Sequence, residues 1–202
     1  MGMPAPQPVR RWTAQMVRET FDLARHSPRY EVIDGELLVS FAESEPAVTN
    51  APSVAHQRAV RGLFRALDEY VRAGRLGEAF TPPADLELEP GTILQPDVFV
   101  VPLVGRQPAR AWSEMKELLL AVEVLSPSTA RYDRVTKRRF FARARVPEYW
   151  IVDLDARVVE RWRPDDERAE VLDERLAWHP EGAPDALDLD LPSLFREAHA
   201  EA

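Results

Sequence analysis

The chain has 202 residues, 45% hydrophobic and 30% charged, with no cysteine; this is the balance of a globular protein with room for one core, and it excludes disulfides, thiolate zinc sites and cysteine nucleophiles. The net charge of −8 argues against a nucleic-acid binder only as an average, because Pro164 to the C-terminus holds 12 acidic residues and three arginines, whereas Arg131–Arg145 holds seven basic residues and one acid, Asp133. Local charge decides whether a phosphate backbone is attracted.

In chain order, the proline-rich residues 1–10 read as disordered, with no apolar stretch of a signal peptide. Trp12–Ala24 predicts a short helix, and Val32–Phe41 a hairpin about Asp34-Gly35, a favoured tight-turn pair, with Leu37 and Val39 alternating after it. Residues 42–55 form a polar, proline-containing connection. Val60, Leu63, Phe64, Leu67 and Val71 recur at helical spacing, and Gly74 stands where a helix would stop, so His56–Ala73 reads as one amphipathic helix. Glu78–Glu89 is extended and Pro90-Gly91 a turn. Asp97–Val101 and Leu118–Leu125 are strands, the second buried and broken by Ser126-Pro127-Ser128. That run is the longest apolar stretch and too short to span a membrane, so a cytoplasmic location is expected.

Arg131–Ala144 predicts the second strong helix, and Tyr149–Asp153 with Val158–Trp162 a hairpin about Asp155, with Tyr149 and Trp150 in the core. The remainder holds one more strand pair and an acidic tail, which could shield the basic helix. The order helix, sheet, helix, sheet, with hairpins mixed in, predicts a mixed α/β (α+β) layer fold, not a doubly wound sheet. Residues 11–202 are expected to form a single domain with an acidic C-terminal region.

The sequence has no Gly-rich phosphate loop and no G-x-S-x-G elbow, and its four histidines match no metal-ligand spacing. The sharpest local anomaly is Glu123, a carboxylate inside an apolar strand, which is costly unless a cation or several donors compensate it. An arginine partner would do so as well as a metal. Asp97 follows Pro96 at the start of another strand. Two carboxylates on neighbouring strand ends would suit magnesium, which takes few protein ligands and keeps its waters.

Lys137 is one of two lysines against 24 arginines. It lies on the helix after the Glu123 strand and could reach back over that strand's end. A plain i,i+4 pair with Asp133 is the alternative, yet arginine would serve that pairing equally well. A compact ammonium suits phosphodiester chemistry better.

Pro96-Asp97-Val98, Glu123-Val124-Leu125-Ser126-Pro127-Ser128-Thr129, Lys137 and Glu148-Tyr149-Trp150-Ile151-Val152-Asp153 together resemble the Uma-two family of the restriction-endonuclease type, a bacterial branch of the PD-(D/E)XK nuclease superfamily. The resemblance covers roughly Val17 to Arg163 and extends to Asp34-Gly35-Glu36-Leu37, His56 and Asp85. It implies a restriction-endonuclease-like core, a mixed β-sheet flanked by helices, cutting DNA as a homodimer with Mg2+ or Mn2+. Asp97 and Glu123 would be metal ligands helped by the Val124 carbonyl, with Lys137 as the catalytic amine on the helix, two residues after the acid being Leu125 instead. The chain departs from the pattern at Phe141, where a tyrosine is usual, and at Arg145, where a glycine is usual.

Weaker candidates are Glu36 as a further acid of the site, Asp85 lining the cleft and His56 as a proton shuttle, each with a plain structural alternative: an exposed hairpin residue, a turn residue and a solvated helix start. Arg131, Arg134, Arg138 and Arg139 could bind phosphates, or form a solvated face. The expected activity is magnesium-dependent cleavage of DNA. The rivals are a catalytically silent binding or assembly protein on the same fold, and a nuclease for RNA or small nucleotides.

Overall fold

A computed structural model describes residues 11–21, 28–40, 53–105 and 107–201. The expected disorder of residues 1–10 and most of the 42–55 connection lie outside the described residues. Helix α1 (Ala14–Thr20) is capped by Thr13, whose hydroxyl accepts the Met16 N–H. It is followed by a hairpin of β1 (Arg29–Ile33) and β2 (Glu36–Ser40). The turn between them places Asp34 at φ 51° and Gly35 at φ 83°, the left-handed pair that two-residue hairpins need and that Asp-Gly tolerates.

Ser53 caps α2 (Val54–Ala73) through the His56 N–H, so this helix begins two residues before the hydrophobic spacing suggested. Ala59, Leu63, Leu67 and Val71 are its buried stripe.

A six-stranded mixed sheet follows, with spatial order β3 (Gly77–Phe80), β4 (Val98–Pro102), β5 (Leu120–Val124), β6 (Tyr149–Asp153), β7 (Val158–Trp162) and β8 (Glu170–Leu172). Only β5 and β6 run parallel; the other neighbours are antiparallel. The crossover joining the parallel pair is helical: α3 (Ala130–Tyr132), a π-helical turn (Asp133–Lys137) and α4 (Arg138–Arg143) in direct succession.

The period of two along each strand sorts the side chains onto two faces. Val98, Val100, Leu120, Val122, Val124, Trp150 and Val152 pack against α2 and the C-terminal helix in one apolar cluster. Phe99, Val101, Ala121, Tyr149 and Ile151 pack on the other face, against Phe140 and Phe141 of α4.

The C-terminal region adds a helix to the expected strand pair. After the β9 (Arg175–Trp178) and β10 (Leu187–Asp190) hairpin comes α5 (Leu191–His199), capped by Asp190 and buried through Leu191, Phe195 and Ala198. The acidic composition masked this apolar stripe at helical spacing.

The carboxylates of the acidic region find their arginines away from the basic face of the crossover helix. They pair with Arg145, Arg161, Arg163, Arg175, Arg157 and Arg65. Among the described residues none of them reaches Arg131, Arg134, Arg138 or Arg139. No helix among the described residues is long and apolar enough to cross a membrane.

Candidate active site

The β4–β5 register pairs Phe99 with Ala121 and Val98 with Val122. One step further, the same register sets Asp97 across from Glu123, and cross-strand neighbours lie within about 5 Å at Cβ. Both side chains project from the sheet face that the crossover helix covers. The Asp97 Oδ2 accepts the Val124 N–H at 3.0 Å, which ties the two strand ends together.

Lys137 arrives from the π-helical turn. Its Nζ lies 2.7 Å from Glu123 Oε1, 2.9 Å from Glu31 Oε2 and 3.5 Å from Asp133 Oδ1. The i,i+4 contact with Asp133 therefore exists, but it is the longest of the three. π-Helical turns occur mostly as short insertions and often at functional sites; this one carries both Asp133 and Lys137 to the buried side of the helix.

Glu31 is delivered by the β1–β2 hairpin. Val32 and Ile93 exchange backbone hydrogen bonds at 2.8 and 3.0 Å, locking the hairpin to the segment that leads into Asp97. Beside that bridge, Glu31 Oε1 accepts the Gln95 N–H at 2.8 Å. The remaining contacts belong to Asp97, whose Oδ2 also meets His56 Nε2 at 3.1 Å and whose Oδ1 meets Arg29 Nη1 at 3.3 Å.

The structure thus brings Asp97, Glu123 and Lys137 into one buried cluster with side chains 9%, 5% and 3% exposed, and adds Glu31, Asp133, His56 and Arg29. His56 is not a solvated helix-start residue; it is buried against Asp97. Glu31, Arg29 and Asp133 in an inward role escaped sequence reasoning. The signal at Glu31 was the one seen at Glu123, a carboxylate beside Val32 and Ile33 in an apolar strand.

Other candidates fall outside the cluster. Asp85 is one link removed, accepting from Gln95 Nε2 at 2.8 Å, and Glu36 is exposed at the start of β2. Arg131 and Arg139 are on the exposed side of the crossover helix, away from Lys137. Arg138 stacks on Trp162 at 4.5 Å. Arg134 pairs with Asp153 and Glu160 and lines a cavity of about 430 Å³ at the ends of β5 and β6, together with Ser53, Leu125, Ser126 and His199.

Electrostatics follow from this count. Four carboxylates (Glu31, Asp97, Glu123, Asp133) face one ammonium and one guanidinium, with His56 the remaining group able to take a positive charge. Burial pushes Glu123 well above the ordinary glutamate range; Lys137 opposes this, while Asp133, Asp97 and Glu31 reinforce it. Asp133 is raised for the same reason. Burial alone would lower Lys137, but Glu123, Glu31 and Asp133 hold it well above an ordinary lysine. Asp97 goes the other way, to about 2: burial would raise it, but His56, Arg29 and the Val124 N–H together outweigh that.

Excess negative charge and open hydrogen-bonding capacity coincide. His56 Nδ1, Gln95 Oε1 and Tyr132 Oη are buried without a hydrogen-bond partner, and Asp133 Oδ1 has only its 3.5 Å ion pair with Lys137, whereas buried polar atoms are nearly always paired. A divalent cation would offset the two surplus charges. Asp97 and Glu123 are hard oxygen donors of the kind magnesium takes, and it needs only one or two carboxylates beside its waters. That matters because, among the described residues, no three His, Cys, Asp or Glu side chains form a ready metal cage; the Lys137 ammonium occupies the space between three of the acids. Val124 meets Asp97 through its N–H.

Among similar solved structures is the crystal structure of a "putative nuclease belonging to DUF820" from Anabaena variabilis, with TM-score 0.67 and 19% identity, covering 92% of this chain and 98% of that one. At that identity the likeness establishes the fold. No curated protein sequence matches the chain. The sequence model of the Uma2 family, described as "putative restriction endonuclease", matches residues 17–192, a span running from α1 into α5 and containing every residue of the cluster. The chain belongs to the Uma2 family.

Proposed function

We propose that this protein is a metal-dependent endonuclease that hydrolyses DNA phosphodiester bonds, using Mg2+ or Mn2+ held by Asp97 and Glu123. The observation that carries the reading is the meeting of these two acids across the β4–β5 register with Lys137 2.7 Å from Glu123. Membership of a restriction-endonuclease-type family supports it. When bound, the ion would acidify a water and offset charge on the phosphate.

The chain's own residues do the positioning. His56 and the Val124 N–H fix the Asp97 carboxylate. Lys137, an amine among three carboxylates, is an ammonium and serves as a fixed positive charge near the developing phosphate oxyanion rather than as a base. Arg29, 29% exposed and touching Asp97 with one nitrogen, stands at the rim, where a phosphate can reach it. Arg134 reaches the cavity beside β5, a place for the flanking strand. The homodimer and cytoplasmic setting belong to the same reading.

A second reading, a silent nuclease-fold binding protein, draws on one observation: both Asp97 oxygens are already satisfied within the chain and the cluster is nearly closed to solvent. Cleavage of mixed DNA and RNA substrates with Mg2+ or Mn2+ separates the two. Wild type is expected to cut DNA, and Glu123→Gln to lose about a hundredfold or more, as when a charge-stabilising group is removed. No cutting with either ion, together with no Mn2+ binding by wild type, would leave only the silent reading; preferential cutting of RNA would replace the substrate.

A further inference from the structure

We infer that Glu31 is the positioning residue for Lys137, and that the β1–β2 hairpin acts as the jig that aims the ammonium at Glu123. As a statement about catalysis this rests on the nuclease reading; as a statement about geometry it does not.

Glu31 is 5% exposed and uses its two oxygens for different tasks. Oε1 is fixed by the Gln95 backbone N–H at 2.8 Å, and Oε2 lies 2.9 Å from Lys137 Nζ. Gln95 is itself held, because its Nε2 donates to Asp85 Oδ1 at 2.8 Å. A relay therefore runs from Asp85 through Gln95 and Glu31 to Lys137 and Glu123. Its backbone anchor is the two-way hydrogen bonding of Val32 with Ile93.

The relay is needed because a lysine side chain has four rotatable carbons and a point-like head. Glu123 alone would leave Nζ free to swing about one contact. Asp133, on the same helical turn, is too distant at 3.5 Å to fix it. Glu31 supplies a second strong contact from a separate strand, and two contacts from two elements restrict the ammonium far more than one. Two acceptor oxygens are required, since a glutamine could offer its single amide oxygen to the Gln95 N–H or to the ammonium but not to both.

The composition makes the test direct: the chain has two lysines, Lys116 and Lys137. With 15Nζ-labelled lysine in the full chain, Lys116→Arg assigns the Lys137 ammonium by NMR. A buried, doubly held ammonium exchanges its protons slowly. Glu31→Gln is expected to speed that exchange at least tenfold, and Glu31→Asp to restore part of the protection. Thermal denaturation of each variant confirms that the chain remains folded at the temperature of measurement.

In the cleavage assay, Glu31→Gln should lower kcat by about a hundredfold, as misplacement of a catalytic group by an ångström can, with KM little changed, and should add nothing in a Lys137→Ala background. Unchanged exchange in folded Glu31→Gln overturns the inference whether or not the protein cuts nucleic acid. Faster exchange with undiminished kcat overturns the catalytic role. Faster exchange in a protein whose wild type cuts nothing keeps Glu31 as the residue that holds Lys137 and removes the nuclease reading instead.

Discussion

The two faces of the central sheet are built from alternate residues of the same strands, yet they bear different burdens. On one, Val98, Leu120, Val122 and Trp150 pack in one apolar cluster with Leu63 and Leu67 of α2 and Phe195 of α5. On the other, the strand ends carry Asp97 and Glu123, and only further along do Phe99, Ala121 and Ile151 restore an apolar surface against α4. Burial stabilises the first face at roughly 25 cal/mol per Å² of apolar surface. On the second, stability depends on whether each charge finds its partner. The lesson is that a single register sets both: one residue of slip would exchange the faces.

The largest effects should separate the faces by mechanism. Trp150→Ala on the apolar face is expected to cost about 3–5 kcal/mol through the cavity it leaves, read as a shift of the chemical denaturation midpoint independent of added metal. Lys137→Met on the charged face should cost a similar amount, on the order of 3–5 kcal/mol, by stranding buried carboxylates. That loss, unlike the first, should shrink when the pH is lowered or Mg2+ is added. Equal insensitivity of both variants to pH and metal would erase the distinction.

Acid unfolding gives the next effect. The Asp97 carboxyl, held at about 2 against an ordinary value of 3.8, binds protons less tightly folded than unfolded. Its contribution, about 2 kcal/mol, is therefore complete above pH 3.8 and lost as the pH falls toward 2. His56→Ala removes the strongest opposing partner, so its acid-unfolding limb should move to higher pH than that of wild type.

Glu123 has the opposite sign. Its folded value is raised, so the metal-free protein should lose stability as the pH climbs above the ordinary glutamate value of 4.5. Glu123→Gln should flatten that slope, and the rise in Tm produced by Mg2+ should grow with pH in wild type alone. A metal-free wild type whose Tm is flat from pH 5 to 8 would count against the surplus of carboxylate charge.

The smallest effect lies away from both faces. Arg145 sits at φ 56° after α4, where a side chain is strained. Its only described ion pair, with Asp165, is well exposed, so Arg145→Gly should stabilise by about 1 kcal/mol, measured by denaturant titration.

Much of the architecture was legible because it is local. The Asp34-Gly35 turn, the α2 stripe and the β6–β7 hairpin follow from side-chain period and turn chemistry within a few residues, and their bounds match closely. Helix α5 is masked in the sequence by the acidic residues that surround Leu191, Phe195 and Ala198, although Asp190 and Pro192 are ordinary helix-start signals. Phe141, lacking the usual hydroxyl, is buried with its ring tilted against that of Tyr149, centroids 4.7 Å apart.

Sequence alone determined which residues were chemically out of place: an acid within LLLAVEVL, a rare lysine among arginines, an aspartate at a strand start. Only the tertiary structure decided which of them meet. Glu31 and Lys137 are separated by four strands and a long helix, and no local rule relates them. Their contact follows from the Val32–Ile93 bridge and the π-helical turn, both products of packing. The same packing turned His56 inward and left Arg131 and Arg139 in solvent, because a charged side chain can be buried only where a partner from another element is already waiting.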